Sequence, residues 1–239
     1  METQNGLICA YVFDREKGGR ELNWDGIRSW APEDGPIWIH FDREADETKQ
    51  WVQNEAGLDP LLCEALVAEE TRPRLNVIDD GVLLILRGVN LNPGSEPDDM
   101  VSVRMWVESN RVISLRGPKV AAIQDMQDRL TRKSGPIDVG DFVTQLSRKL
   151  TDRMGTVLED LDEEIDSLEE TILEEQNSAL RSKLADLRRT AITLRRYVAP
   201  QREVLSRLQN VPVSWLNERH RASLRETTDR IIRYVEDLD

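Results

Sequence analysis

The stretch from residue 157 to residue 201 constrains the fold more than any other part of this chain. It reads VLEDLDEEIDSLEETILEEQNSALRSKLADLRRTAITLRRYVAPQ, an acidic segment followed by a basic one, with a short break at Asn177 and Ser178. Both segments carry a leucine-type seam on one helical face. We therefore predict a long, self-paired antiparallel helical hairpin. Such a hairpin favours assembly, gating or ion sensing over catalysis.

The apolar seam of the predicted hairpin has a period near 3.5 residues, which is typical of coiled-coil packing. Its first helix carries Val139, Phe142, Leu146, Leu150, Met154, Val157, Leu161, Ile165, Leu168 and Ile172. Its second helix carries Leu180, Leu184, Leu187, Ala191, Leu194 and Val198. Pro200 is expected to kink or end the second helix, because proline lacks the amide hydrogen and clashes with the preceding turn.

A third helix is predicted to begin near Ser214, a good N-cap residue, after a break at Val211 and Pro212. Its apolar stripe consists of Leu224, Thr228, Ile231, Val235 and Leu238. No stop signal precedes Asp239, and acidic residues stand where a helix C-terminus disfavours them. We interpret this as a helix that continues further; a frayed terminus is the alternative.

Residues 1–135 mix short strands and helices, which predicts an α+β domain. Strands are predicted at Gly6–Phe13, Pro36–Phe41, Gly81–Val89, Val101–Val107 and Arg111–Arg116. Helices are predicted at Asp46–Ala56, Pro60–Ala68 and Lys119–Arg132. Residues 90–99 (NLNPGSEPDD) are rich in polar residues, Pro and Gly, which indicates a long loop.

The bulk properties narrow the class of protein. A net charge of −13 argues against nucleic-acid binding, which depends on neutralising phosphates with Lys and Arg. Cys9 and Cys63 give neither a disulfide framework nor a ligand spacing, so we expect a reducing cytosol. The longest apolar run, Val82 to Leu86, is far too short to cross a membrane, and no signal peptide is recognisable. The chain as given is expected to be soluble.

The acidic helix offers a candidate metal site, since carboxylates three and four residues apart can share a hard divalent ion. The residues proposed for it are Glu163, Asp166 and Glu170. The alternative is neutralisation by the basic helix, with Glu174 and Glu170 facing Arg181 and Lys183.

No enzyme or cofactor signature is recognisable. His40 lies in a strand and His220 on the last helix, and neither has a second His or Cys at ligand spacing, which argues against a tetrahedral zinc site. We interpret His220 as a surface residue. There is no nucleophile elbow, glycine-rich phosphate loop or pair of carboxylates at strand ends.

Several segments resemble the cytosolic part of the CorA superfamily of divalent-cation transporters. Those that match the superfamily are Asp59–Leu62 through Glu70–Arg74, Leu158–Leu173, and Leu187–Arg189 through Pro200–Leu205. The segment Arg87–Gly94 with Asp98–Val101 resembles the zinc-transporter subgroup, ZntB. These segments have the order and spacing of the family, and the resemblance covers essentially the whole chain.

The resemblance implies a homopentameric funnel at the bacterial inner membrane, with this part in the cytoplasm and Zn²⁺ as the transported ion. Each subunit would comprise an α/β/α sandwich with a largely antiparallel sheet (residues 1–135), a helical hairpin (136–212) and a stalk helix (213–239). The stalk would continue into the first membrane span. The pore signature of the family, Gly-x-Asn, would lie beyond the stalk.

One departure from the magnesium-type members bears on regulation. Those members carry an acidic pair where this chain has Glu64 and Ala65, and that pair helps to bind a regulatory ion between subunits. A weaker inter-subunit site that combines Glu64 with Glu226 or Asp229 is predicted instead. Magnesium or cobalt transport, and a freestanding coiled-coil scaffold that binds a protein partner, remain as alternative functions.

Overall fold

A computed structural model describes residues 5–14, 18–69, 71–96, 98–174 and 178–238. The strands are β1 (Leu7–Asp14), β2 (Gly18–Glu21), β3 (Ile37–Asp42), β4 (Arg74–Ile78), β5 (Gly81–Gly88), β6 (Val101–Val107) and β7 (Arg111–Arg116). The helices are α1 (Trp24–Ser29), α2 (Asp46–Asn54), α3 (Pro60–Val67), α4 (Ala121–Thr131), α5 (Val139–Glu174), α6 (Ser178–Leu208) and α7 (Glu218–Asp237). A 3₁₀ turn spans Pro32–Asp34.

The seven strands form one sheet in the order β2-β1-β3-β7-β6-β5-β4. Every neighbouring pair is antiparallel except β3 and β7, which run parallel. Alternate side chains face opposite layers, as the pleat of a strand requires. On β6, for example, Val103 and Met105 pack into one core and Trp106 into the other. The prediction of a largely antiparallel sheet is confirmed.

Helices cover both faces of the sheet. One face packs against α1, α2 and α3 through Ile27, Trp51 and Leu66. The other face packs against α4 to α7, to which Met126 and Phe142 contribute completely buried side chains. The α/β/α sandwich expected from the resemblance is therefore confirmed.

The hairpin α5–α6 joins two different environments, which we call the base and the tip. In the base of α5, residues 139–154, the seam side chains Phe142, Leu146 and Met154 are completely buried. In the tip, residues 159–174, most of the acidic side chains are exposed, while Leu161 and Leu168 continue the buried seam. At 36 residues, α5 is about 54 Å long. The predicted seam is confirmed along α5.

Pro200 does not end the second helix of the hairpin, because α6 continues to Leu208. Tertiary packing outweighs the missing hydrogen bond: Val204, Leu205 and Leu208 lie in the core beyond it. The next residue, Gln201, also anchors the helix to β5. Its Nε2 donates to the Arg87 carbonyl at 3.1 Å, and its Oε1 accepts from the Arg87 amide at 2.6 Å.

The third helix begins later than predicted, because Ser214 caps no helix. Its amide donates instead to Asp80 Oδ1 at 2.6 Å, which ties this segment to the β4–β5 turn. Asn217 is the N-cap of α7, and its Oδ1 accepts from the His220 amide at 3.1 Å. Strand β2 was not predicted at all; its sequence, GGRE, has no strand-like pattern, and pairing with β1 imposes its extended form.

The division of the chain near residues 135 and 212 stays a prediction. The core on the α4–α7 face draws residues from all three of the predicted segments. None of the described helices is both long enough and apolar enough to cross a membrane.

Candidate functional site

The structure places the predicted metal ligands of the acidic helix on the surface of the tip. Glu163, Asp166 and Glu170 are all exposed, and the structure does not gather them into a cluster of three ligand atoms. Neutralisation by the basic helix is observed, although Lys183 has another partner than predicted; the side chain of Glu174 lies outside the described part of the chain. Lys183 pairs with Glu164 at 2.6 Å rather than with Glu170, and Arg188 pairs with Glu169 at 2.8 Å.

The second predicted group, Glu64 with Glu226 or Asp229, divides between α3 and α7. All three side chains are exposed, and in the described part of the chain none belongs to a cluster of three potential ligands. The prediction concerns a contact between subunits, so it stays a prediction.

Three other side chains do converge, at the place where the first turns of α5 and α7 meet. Potential ligand atoms of Asp138, Asp141 and His220 all lie within 4.8 Å of one another, and no other such group of three occurs among the described residues. His220 Nε2 lies 3.5 Å from Asp138 Oδ1 and 3.5 Å from Asp141 Oδ1. We call this group the His220 cluster.

Helix capping holds the members of the His220 cluster in place. Asp138 precedes α5, and its Oδ1 accepts from the Asp141 amide at 2.7 Å. In α7 the His220 amide is bonded to the N-cap Asn217, while the other ring nitrogen, Nδ1, lies 3.2 Å from the Trp215 carbonyl. An imidazole that donates from Nδ1 to this carbonyl presents Nε2 to the two carboxylates.

Gly140 allows the two helices to approach this closely. A Cβ atom at position 140 would lie 2.1 Å from His220 Nδ1 and 2.5 Å from the Trp215 carbonyl oxygen. Contacts this short do not occur in folded proteins, so any larger residue would push α7 away from α5.

The electrostatics of the cluster favour a positive partner between the carboxylates. The hydrogen bond to Asp141 raises the pKa of His220 above its usual value, against the opposing effect of burial, and Asp138 adds to the increase. The same bond lowers the pKa of Asp141, against the opposing effect of its own burial. His220 is 3% exposed, so solvent screens these interactions little.

The donor set and spacing of the His220 cluster also suit a metal ion. Imidazole nitrogen and carboxylate oxygen bind Zn²⁺ at about 2.0–2.2 Å, so two ligands on a tetrahedral ion stand roughly 3.4 Å apart. The observed distance of 3.5 Å is close to this spacing. Two carboxylates and one imidazole leave a fourth position for water.

The interpretation of His220 as a surface residue is therefore wrong, and the argument from sequence against a histidine-based metal site missed this group. Its members lie in two segments about eighty residues apart, and the pair Asp138 and Asp141 meets His220 only in the folded chain. The available signals were local: Asp138 and Asp141 at the start of one helix, and a capping residue three positions before His220 in the other.

The match to a family model decides which proteins this chain is related to. The model described as "CorA-like Mg2+ transporter protein" matches residues 33–239. The chain belongs to the CorA-like family. The resemblance inferred from the sequence is thus confirmed.

Two relatives of this CorA-like chain cover nearly its whole length. The divalent cation transporter CmaX of Pseudomonas aeruginosa is 38% identical over 240 residues, which cover 99% of this chain and 72% of CmaX. The zinc transport protein ZntB of Yersinia enterocolitica is 33% identical over 232 residues, which cover 97% of this chain and 70% of that protein.

Solved structures show the same fold. The structure of full-length CmaX matches with a TM-score of 0.92 at 37% identity, covering 99% of this chain and 73% of that one. The cytoplasmic domain of ZntB from Vibrio parahaemolyticus matches with a TM-score of 0.81 at 19% identity, covering 98% and 94%. The CorA-like chain and the ZntB domain thus share one architecture.

Proposed function

We propose that this CorA-like chain forms the cytoplasmic funnel of a divalent-cation transporter at the bacterial inner membrane, and that Zn²⁺ is the transported ion. The observation that carries the proposal is the match over nearly the whole chain to proteins named as zinc and divalent-cation transporters. The relatives are described as transporters, which agrees with the absence of an enzyme signature in the sequence.

The charge of the chain supports a role in attracting cations. The net charge is −13, and the tip of α5 exposes Glu163, Asp166 and Glu170. A surface lined by charges of one sign raises the local concentration of counter-ions. In a closed ring of identical subunits the same surface would be repeated around the axis. We propose a homopentamer, as the resemblance implies.

We further propose that the His220 cluster binds a divalent ion in this domain. Magnesium prefers oxygen ligands with near-octahedral geometry, whereas zinc accepts imidazole readily. The one imidazole among two carboxylates therefore favours zinc. An ion bound there would link α5 to α7. The cation concentration would then control how tightly the hairpin packs against α7, the proposed stalk helix.

Transport of zinc is tested with the complete gene product reconstituted in liposomes that contain a zinc-sensitive dye. We expect zinc influx when external zinc is added. Magnesium flux that zinc neither replaces nor inhibits would contradict zinc as the transported ion and would support the magnesium alternative. The same preparation gives the oligomeric mass by light scattering in detergent, where a strict monomer would overturn the funnel.

Ion binding by the His220 cluster is tested separately, by isothermal titration of Zn²⁺ and Mg²⁺ into the purified chain. We expect His220→Gln to weaken zinc binding at least about 10-fold, because loss of a direct ligand should cost no less than loss of an outer-shell partner. The matched control is Glu47→Gln, which removes an exposed carboxylate on α2. Equal zinc binding by the wild type and His220→Gln would rule out this site without affecting the transport proposal. Glu64→Gln in the same titration tests the predicted inter-subunit site.

A further inference from the structure

A cavity whose walls include three arginines lies apart from the acidic surfaces described above. It has a volume of about 430 Å³ and lies between the ends of β5 and β6, the segment after β3, and α6. Arg43, Arg87 and Arg104 contribute to its walls, together with Tyr197. We call it the Arg104 cavity.

Arg104 is the most unusual residue of this cavity, because its charged guanidinium is buried and only one of its nitrogens has a hydrogen-bond partner. It lies on β6 with 2% of its surface exposed, and Nη2 donates to the Glu69 carbonyl at 3.1 Å. Its Nε and Nη1 atoms are buried and have no hydrogen-bond partner. Within the described part of the chain no carboxylate forms an ion pair with Arg104. Buried guanidinium groups ordinarily form hydrogen bonds or ion pairs through all their nitrogens, so we expect an acceptor to bind these two donors.

The neighbouring arginines add positive charge rather than neutralising it. Arg43 donates to the Val67 carbonyl at 3.4 Å and to the exposed Glu44 carboxylate at 2.7 Å, while its Nε is buried without a partner. Arg87 donates to the Met100 carbonyl and lies over the Tyr197 ring, 4.8 Å from its centroid.

The protonation behaviour of Arg104 reflects the same environment. Burial, reinforced by the charges of Arg43 and Arg87, lowers the pKa of Arg104 to about 10. The guanidinium thus remains charged at neutral pH, and no described carboxylate forms an ion pair with it. Three acidic residues, Glu69, Asp98 and Asp99, also line the cavity, so its charge is not uniformly positive.

We propose that the Arg104 cavity binds a small oxyanion, either inorganic phosphate or the phosphate group of a small metabolite. A guanidinium offers a planar fork of N–H donors that matches two oxygens of a phosphate. In this cavity Nη2 of Arg104 is already bonded to the Glu69 carbonyl, so Nε and Nη1 of Arg104 and Nε of Arg43 each offer a single N–H donor to an oxygen of the anion. The Tyr197 ring packs against the Arg87 guanidinium and so holds this third arginine at the wall of the cavity.

The test is isothermal titration of the purified chain with inorganic phosphate, with adenosine monophosphate, and with chloride at matched ionic strength. We expect phosphate binding that Arg104→Met weakens at least about tenfold, because the variant keeps the volume of the side chain and loses its donors. Arg43→Met provides a second variant in case Arg104→Met does not fold. Arg28→Met is the matched control, since Arg28 is exposed and paired with Glu55.

The outcomes separate a specific site from a general effect of salt. Tighter binding of adenosine monophosphate than of phosphate, with the same dependence on Arg104, would identify a phosphorylated metabolite as the ligand. Chloride binding as tight as that of phosphate, or phosphate binding unchanged in both arginine variants, would overturn the proposal. None of these results depends on which ion is transported.

Discussion

The base and the tip of the hairpin belong to the same two helices, yet different forces hold them. The base of α5 buries Phe142, Leu146 and Met154 completely against the sheet and its neighbouring helices. The tip pairs acids of α5 with bases of α6, and the side chains in those pairs are about half exposed. Burying one large apolar side chain contributes about 1.5–3 kcal/mol, whereas an exposed ion pair contributes less than about 1 kcal/mol. Stability therefore resides in the base, and the tip is left available for charge.

The largest expected effect comes from cutting a buried side chain in the base. Leu146→Ala should lower the free energy of unfolding by about 2–5 kcal/mol, because it opens a cavity in a packed core. Leu173→Ala at the tip removes the same atoms from a side chain that is 87% exposed. This substitution should change the free energy of unfolding by less than about 0.5 kcal/mol. Urea denaturation of both variants measures the contrast. Equal losses would mean that the tip shares the core of the base.

The stability of the fold should depend on pH, because the sheet that packs against the base contains a buried histidine. His40 on β3 is completely buried next to Ser114 Oγ, 2.8 Å from its Nδ1. Burial, helped by the charge of Arg116, lowers the pKa of His40 to about 3. Below about pH 6.5 the unfolded chain takes up a proton that the folded chain refuses until about pH 3. Stability is therefore lost as the pH falls through this window.

The expected loss from His40 between pH 7 and pH 5 is about 2 kcal/mol. Urea denaturation of the wild type and of His40→Gln at both pH values isolates this contribution, because the carboxylates titrate equally in the two proteins. The pH dependence should be weaker in the variant. If the free energy of unfolding changed equally with pH in the two proteins, the pKa of His40 would not be lowered in the folded state.

Close contact between α5 and α7 at the start of the base should give the next effect. Gly140→Ala should lower the free energy of unfolding by about 1–3 kcal/mol through overpacking, partly offset by roughly 1 kcal/mol of better helix propensity. The clash involves the Trp215 backbone, which has little freedom to move. In the control Gly155→Ala the added methyl meets the phenol of Tyr234, the far end of a side chain that can shift as a whole. If Gly140→Ala were as stable as the wild type, α7 would be able to move away from α5 at little cost.

The smallest expected effect belongs to the ion pairs of the tip. The coupling energy between Glu164 and Lys183 should be about 0.5 kcal/mol or less and should fall with added salt. A double-mutant cycle with Glu164→Gln and Lys183→Met measures it at low and high salt. A coupling that is large and independent of salt would mean that the tip is screened from solvent, as it would be inside an assembly.

The sequence predicted those parts of the fold that follow from local pattern. Strands with alternating or continuous apolar residues, such as β5 and β6, and the seam of α5 were recognisable because burial selects their side chains at fixed periods. Strand β2 was not, since its extended form depends on pairing with β1. The start of α7 was misplaced because Ser214 bonds to Asp80, a partner 134 positions away.

The candidate sites show the same limit more strongly. The exposed acids of the tip are visible in the sequence because they are consecutive. His220 and Asp138 meet only through the packing of α7 on α5, and Arg104 and Arg43 meet only through the order of strands in the sheet. Periodicity distinguishes a buried face from an exposed one, but it does not indicate which buried polar groups face each other.

The single parallel pair in the sheet has a consequence for synthesis on the ribosome. Ile37 of β3 pairs with Arg111 of β7, so roughly seventy residues must be made between the two partners. Until β7 emerges, β3 is the open edge of a nascent three-stranded sheet with apolar residues on both faces. Such an edge can pair with another unfinished chain. The nascent protein is thus most vulnerable to misassembly before β7 is made, and chaperone binding should be concentrated in that interval.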